Sequence, residues 1–129
     1  MPTDLQMLVY SSLLLVAQSI SVLISGLLAA GLRWGFGNRD EAPARSAWGE
    51  RARRAQRNML ENLVPFTALV LAAHLAGVPS EATARGATLF FWGRVAYAAI
   101  YIAGIPYVRT AVFLVAITGM LQISRALLA

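Results

Sequence analysis

Polar residues enter the second apolar stretch of the chain at helical spacing: Arg54, Asn58, Glu61 and Pro65. Their positions, i, i+4, i+7 and i+11, lie near one face of an α-helix, which has about 3.6 residues per turn. An unpaired charge in hydrocarbon costs on the order of several kcal/mol, so such residues pair with one another or face a cavity. We therefore expect the function of the protein to lie on this helix face.

The third apolar stretch carries a second polar line, formed by Arg94, Tyr97 and Tyr101 at i, i+3 and i+7. Arg94 lies near the middle of the stretch and requires a partner, for which Glu61 is the best candidate. One hypothesis is a structural Glu61–Arg94 ion pair between two helices; a ligand contact by the same residues is compatible with it. The two tyrosines belong either to an aromatic belt at the membrane interface or to the bundle interior.

Two further arginines extend these lines. Arg57 lies four residues before Glu61, where the two side chains can interact on one helix face. Arg109 follows Pro106 at the start of the fourth apolar stretch. It is either a cytoplasmic-side anchor or a guanidinium that stabilises a developing thiolate or oxyanion. Because arginine stays protonated, it can stabilise an anion but cannot act as an ordinary base.

Residue types exclude several kinds of chemistry. The chain has no cysteine and a single histidine, His74, which excludes disulfides and protein thiolates and disfavours a metal site. Thiol chemistry would therefore require a small-molecule thiol. The net charge of +5 suggests nucleic acid, but the arginines cluster around one loop between apolar helices. That arrangement indicates membrane topology and anion contacts instead, with no nucleic-acid partner.

The composition predicts an all-α membrane protein. Of the 129 residues, 58% are hydrophobic and 13% are charged, whereas typical soluble domains are about 45–50% apolar and about 25% charged. Four segments near the roughly 20 residues that cross a bilayer predict transmembrane helices at about 5–32, 51–76, 84–103 and 107–128. The first lacks a positively charged start and is too long for a signal peptide, so we expect it to be retained. Short connections favour an up-down-up-down bundle in one domain, with Ser80 as an N-cap.

The arginines also predict the orientation of the bundle. Seven of them lie in the first loop and at the start of the second segment, and Arg109 lies on the same side. Only Arg85 and Arg125 lie on the opposite side. Because cytoplasmic loops are enriched in Lys and Arg, we expect the first loop to be cytoplasmic and both termini to be outside.

With these motifs, the chain resembles the MAPEG family, the membrane-associated proteins in eicosanoid and glutathione metabolism. The resemblance runs from about Glu50 to the end and rests on Glu50-Arg51-x-x-Arg54-Ala55-x-Arg57-Asn58-x-x-Glu61-x-x-x-Pro65-Phe66, then Gly93-Arg94-Val95-Ala96-Tyr97-x-x-x-Tyr101, then Arg109 after a short turn. The four-helix layout and the length are also similar. The short chain resembles bacterial members, which implies a multi-pass protein of the bacterial inner membrane.

The resemblance implies a homotrimer of four-helix subunits, with glutathione bound as cosubstrate between neighbouring subunits near the cytoplasmic side. By position, the residues that would hold glutathione are Arg54, Arg57, Asn58 and Glu61 on the second helix and Arg94, Tyr97 and Tyr101 on the third. Arg109 matches the arginine that activates the thiol.

The resemblance implies a glutathione-dependent transferase or peroxidase that acts on lipophilic electrophiles from the bilayer. Some relatives bind lipids or regulate partners without catalysis, so a non-catalytic scaffold or lipid-binding protein of the same fold is the alternative. A small cation exporter is disfavoured, because the first helix has no acid except Asp4 at its end and Glu61 is surrounded by arginines.

Overall fold

The computed structural model describes residues 1–78 and 80–129, whose regular structure consists of four α-helices. In chain order these are α1 (Thr3–Phe36), α2 (Ala47–Leu75), α3 (Ser80–Ala103) and α4 (Val108–Leu128). The prediction of an all-α, four-helix protein is confirmed. Pro79 and the side chain of Ser80 lie outside the described part of the chain, and so does the N-cap predicted at Ser80.

Three helices begin or end beyond the predicted apolar segments. α2 begins at Ala47 rather than about residue 51, and α3 begins at Ser80 rather than about residue 84. The predicted bounds come from hydropathy, which detects only the apolar part of a helix. Helical hydrogen bonding also includes the polar residues at the start of the helix, so the observed helices begin earlier. α1 reaches Phe36 because two helical segments meet at a kink, where Gly31 has φ 84° and ψ 173°. Only glycine adopts this backbone conformation readily, because it has no Cβ.

Three of the helices are long and apolar enough to cross a membrane, namely α1, the Glu81–Ala103 part of α3, and α4. α2 is not among them: its first half carries four arginines, and polar residues that follow these arginines, among them Asn58, Glu61 and His74, lower the mean hydropathy of the remainder. With 29 residues, α2 is about 44 Å long, whereas the hydrocarbon core of a bilayer is about 30 Å thick. The length of α2 therefore allows its arginine-bearing half to reach beyond the hydrocarbon core. The chain is an integral membrane protein.

α2 and α3 occupy the middle of the bundle, with α1 against one side of this pair and α4 against the other. Within the described residues, α1 and α4 do not contact each other. At the start of α2, Arg51 Nε donates a hydrogen bond of 2.9 Å to the carbonyl of Ile102 near the end of α3. The first loop and the α3–α4 connection therefore lie together, as an up-down order requires. We call this end, which holds residues 37–46 and 104–107, the arginine-rich end.

The core of the bundle is built on one face of α2, where Met59, Leu63, Phe66 and Val70 recur every three or four residues. The ring of Phe66 stacks on that of Phe90 from α3, with centroids 3.8 Å apart and an interplanar angle of 12°. Many large apolar side chains of α1 and α4 are exposed. Such a surface is expected where a helix contacts acyl chains.

α3 and α4 approach so closely that their contact requires small residues. A Cβ at Gly86 would lie 2.6 Å from the carbonyl oxygen of Gly119, and one at Gly93 would lie 3.0 Å from the nitrogen of Ala116. Small residues at such positions let membrane helices pack backbone to backbone. Gly86 and Gly93 are seven residues apart, and this helical spacing is the sequence signal for the contact.

We expect Gly119→Ala to lower the free energy of unfolding by about 1–3 kcal/mol, because the added methyl group overpacks a backbone contact that cannot yield. Unfolding in detergent measures the effect. Gly35→Ala is the matched control, since its methyl group would meet only the flexible side chain of Leu27. Equal stability of the two variants would contradict the predicted close packing.

The first loop, residues 37–46, is held by contacts around Trp34. The kink in α1 turns this side chain back onto the helix, where a Cβ at Gly26 would lie 2.8 Å from the Trp34 ring. The guanidinium of Arg39 lies 5.0 Å from the ring centroid and that of Arg45 lies 6.0 Å from it. These cation–π contacts fix the loop over the end of α1.

Candidate functional site

Residues from three helices line a cavity of about 220 Å³ toward the arginine-rich end of the bundle. Asn58 comes from α2, Tyr97 from α3, and Arg109 from the start of α4, with Thr110 and Phe113 completing the lining. The structure therefore brings together one predicted site residue from each of the three sequence motifs. Residues far apart in the chain meet here because α2, α3 and α4 pack side by side.

Arg94, Tyr97, Tyr101 and Arg109 form a continuous cation–aromatic cluster along α3 and the start of α4. The guanidinium of Arg94 lies 4.3 Å from the Tyr97 ring centroid, and that of Arg109 lies 4.6 Å from the Tyr101 centroid. The two tyrosine rings are 5.5 Å apart. Tyr97 is buried and Tyr101 is half-buried. Both rings therefore belong to the bundle interior and not to an aromatic belt.

Arg94 is a buried cation without an acceptor in the described chain. Only 1% of its surface is exposed, and none of its three guanidinium nitrogens has a hydrogen-bond partner there. Its charge lies against aromatic rings instead, those of Tyr97 and, at 5.9 Å, Phe113. A cation–π contact, worth about 0.5–2 kcal/mol, offsets only part of the cost of burying a charge. Arg94 therefore keeps three unsatisfied donor nitrogens, buried against Tyr97 and Phe113, which line the cavity.

The predicted Glu61–Arg94 ion pair is wrong for the subunit. Glu61 is exposed and forms no ion pair among the described residues. The reason is the rotation of α2, whose core face carries Met59 and Leu63. Glu61 is two residues from each of them, about 200° around the helix, and so lies on the opposite face.

Three of the predicted residues, Arg54, Arg57 and Glu61, are exposed and form what we call the outward polar face of α2. Asn58 is half-buried and lies between this face and the cavity, which it lines. α2 continues as one helix through Pro65, so these residues keep their helical spacing. The predicted site thus has two parts, the outward polar face and the cavity with its cation–aromatic cluster, and Asn58 joins them.

The turn between α3 and α4 positions Arg109. Gly104 has φ 80° and Tyr107 has φ 66°, a region that glycine enters freely and tyrosine rarely. The Arg51 side chain closes the same turn through its hydrogen bond to the Ile102 carbonyl, as cations near helix C-termini do. Arg51 is therefore a positioning residue, a role that its place in the sequence motif did not reveal. The sequence shows only an arginine at the start of a helix, which does not identify its partner at the end of α3.

The arrangement suits anion binding. Among the residues that the structure describes, no group of three or more His, Cys, Asp or Glu side chains could hold a metal ion. His74 is exposed near the far end of α2. The cavity offers guanidinium, phenol and amide donors, which bind carboxylates and stabilise negative charge on oxygen or sulfur.

Comparison with protein families identifies the family of the chain. The model of the MAPEG family matches residues 7–129, which include all of the predicted site residues. The match also covers most of α1 and the first loop, which lie outside the motifs that carry the resemblance. A comparison with curated proteins finds no match.

Proposed function

Because the chain belongs to the MAPEG family, we propose that it is a membrane transferase or peroxidase that uses glutathione against lipophilic electrophiles. The family in general comprises membrane proteins of glutathione or eicosanoid metabolism. One observation carries the proposal: the three unpartnered guanidinium nitrogens of buried Arg94. This side chain contacts Tyr97 and Phe113, the two aromatic residues that line the cavity.

The charges of the site are complementary to glutathione, which has two carboxylates and one ammonium at neutral pH. Arg54 and Arg57 on the outward polar face and Arg94 beside the cavity supply guanidinium groups, which bind carboxylates in a two-pronged geometry. Glu61 supplies an exposed carboxylate for the ammonium. The residues of this chain therefore fit the cosubstrate that the family implies.

In the proposed reaction the protein holds glutathione and stabilises negative charge. Bound glutathione would supply a thiolate, the nucleophile that displaces a leaving group from carbon or cleaves a peroxide O–O bond. Arg109 lines the cavity and keeps its positive charge, so it favours the ionised thiol without acting as a base. Asn58 and Tyr97 line the same cavity, and their amide and hydroxyl groups would orient the peptide through hydrogen bonds.

The proposed site requires a second copy of the chain, and we infer the trimer that is general in the family. The cavity of about 220 Å³ is smaller than the roughly 300–1,000 Å³ of pockets that enclose a small ligand. Glu61 lies about 21 Å along α2 from Leu75 at the opposite end, a distance shorter than the roughly 30 Å hydrocarbon core. A carboxylate exposed to lipid at this depth is unfavourable. A neighbouring subunit that covers the outward polar face would remove this cost and complete the pocket.

We infer that the arginine-rich end faces the cytoplasm of a bacterial inner membrane, since arginines are retained on that side. Both termini then lie outside, because α1 begins and α4 ends at the other end of the bundle. A reporter that is active only in the cytoplasm should therefore be inactive when fused to the C-terminus. An active fusion would contradict this inference and place the C-terminus in the cytoplasm.

Glutathione binding to detergent-purified protein, measured by calorimetry, tests the proposed function. We expect saturable binding that Arg57→Ala and Glu61→Gln each weaken by about tenfold or more, because a hydrogen bond to a charged group contributes about 1.5–3 kcal/mol. Arg53→Ala is the matched control. Arg53 is an exposed arginine one turn from Arg57 that pairs with Glu50 at 3.5 Å, and its loss should leave the affinity nearly unchanged.

A well-folded oligomer that does not bind glutathione would contradict the proposal. It would favour the alternative, a non-catalytic scaffold or lipid-binding protein of the same fold. Disruption of that oligomer by Glu61→Gln would then assign the outward polar face to assembly. If Arg53→Ala and Arg57→Ala weakened glutathione binding equally, the affinity would depend only on the overall positive charge of this end of the protein.

A further inference from the structure

A large groove lies at the end of the bundle opposite the candidate site. It is open along one side, has a volume of about 1110 Å³, and is lined mainly by the last turns of α4. We call it the α4 groove. Arg125, which lines it, is about 24 Å from Arg109 along α4, so the groove and the candidate site lie toward opposite membrane faces. An adjoining groove of about 560 Å³ shares Gln122 and is lined by Glu81 and Arg85 of α3.

Four polar side chains line the α4 groove. The Ser124 hydroxyl donates to the carbonyl of Met120 at 2.9 Å, and the other three, Thr118, Gln122 and Arg125, lie at successive depths. Their i, i+4, i+7 spacing places Gln122 about 4.5 Å and Thr118 about 10 Å below Arg125 along the helix. The Thr118 hydroxyl donates to the carbonyl of Val115 at 2.6 Å. Within the described chain, Arg125 has no ion pair and Gln122 has no hydrogen bond. The unpaired guanidinium of Arg125 therefore lies about one turn nearer the end of α4 than the Gln122 amide, which has no hydrogen bond. Both are close to the exposed apolar side chain of Leu121.

No Asp or Glu side chain that is both unpaired and exposed in the described chain lies near Arg125. Asp4 is buried, and Glu81 is already paired with Arg85 at 3.6 Å. The remaining acidic residues lie at the arginine-rich end or near the middle of α2: Asp40, Glu41, Glu50 and Glu61. A second copy in the same orientation would therefore bring no free Asp or Glu side chain to Arg125. Ala129 lines the same groove, but its α-carboxylate forms no ion pair with Arg125 in the described chain. At this level a bilayer presents lipid headgroups, whose phosphates carry negative charge.

We propose that the α4 groove binds an anionic glycerophospholipid of the leaflet on that side. The guanidinium of Arg125 donates to the phosphate, a charge-assisted contact. The Gln122 amide, one turn deeper, donates to an ester carbonyl, which lies below the phosphate in a glycerophospholipid. An acyl chain then lies against Leu121 and Leu114, which are seven residues apart and both exposed. This proposal does not depend on glutathione binding.

Native mass spectrometry of the detergent-purified protein with defined lipids tests the site. We expect the wild-type protein to retain phosphatidylglycerol in preference to phosphatidylcholine. Arg125→Gln should lower this preference by about fivefold, from the energy of one arginine–anionic lipid contact. Arg85→Gln is the matched control, because Arg85 lies at the same end but is neutralised by Glu81. Arg125→Lys should restore most of the preference, which loss of structure alone would not allow.

Equal retention of the two lipids by the wild-type protein, or an unchanged preference in Arg125→Gln, would overturn the proposal. Because the chain has no cysteine, Leu121→Cys provides a single thiol in the groove. A disulfide between two copies of this variant would place a second chain there and would also overturn it. Unchanged glutathione affinity in Arg125→Gln would support a lipid site that is separate from the candidate site.

Discussion

Arg109→Ala should lower turnover with a lipophilic electrophile by about 10²- to 10³-fold, the effect typical of removing one preorganised donor from a charged transition state. Glutathione affinity should change little, since Arg54, Arg57 and Arg94 would hold the carboxylates. Arg109 lines the cavity, and its guanidinium is fixed against the Tyr101 ring at 4.6 Å. Measurement of kcat at saturating glutathione, with calorimetry on the same preparation, separates the two effects.

The pH dependence of the rate distinguishes activation of the thiol from a structural role of Arg109. Without the nearby cation a smaller fraction of the thiol is ionised at a given pH. The rate of Arg109→Ala should therefore rise at a higher pH than that of the wild-type protein, and Arg109→Lys should recover part of the shift. Arg53→Ala, at the same end of the bundle, should change neither the rate nor its pH dependence. A parallel loss of binding and turnover would instead make Arg109 a glutathione-binding residue.

Arg94→Met should raise the free energy of unfolding by about 1–4 kcal/mol, because apolar replacement of buried ions often stabilises a protein by this amount. Arg94 has no hydrogen-bond acceptor in the described chain, so this change removes a buried charge without breaking an ion pair. The same variant should bind glutathione about tenfold or more weakly, since the lost nitrogens are those offered to a carboxylate. Unfolding in detergent without glutathione and calorimetry with it measure the two changes.

The sign of the change in the free energy of unfolding of Arg94→Met distinguishes a ligand-binding role of Arg94 from a structural ion pair with Glu61. If Glu61 pairs with Arg94 in the assembled protein, Arg94→Met strands a carboxylate and destabilises the protein by about 3–5 kcal/mol. Val95→Met is the matched control, because it places the same side chain at the next position of α3. It should leave glutathione affinity unchanged, and a loss in both variants would point to general disturbance of α3.

The helix faces follow from the sequence more directly than the contacts between them do. Arg54, Asn58 and Glu61 share one side of α2 as their spacing predicts, and Tyr97 and Tyr101 lie along α3 in the same way. Helical periodicity cannot show that Glu61 lies away from Arg94. It predicts which residues share a face of one helix, but not which neighbouring helix that face contacts. That outcome depends on Met59 and Leu63, which turn the opposite side of α2 into the core.

The contacts that hold the site in place are also tertiary. Arg51 reaches the end of α3 because the start of α2 lies beside it. Gly86 and Gly119 matter because two backbones meet at them. Neither pair has a local signature strong enough to identify its partner, since each combines residues from different helices.

The sequence by itself determined the membrane class, the four helices, the polar residues within them and the family. These properties depend on hydropathy, helical spacing and the order of motifs, which can be determined from the sequence without knowledge of tertiary contacts. Only the tertiary structure decided that Asn58, Tyr97 and Arg109 share a cavity and that Arg94 is buried without an acceptor. Those outcomes depend on the rotation of each helix and the closeness of its neighbours, which the packing of all four helices sets together.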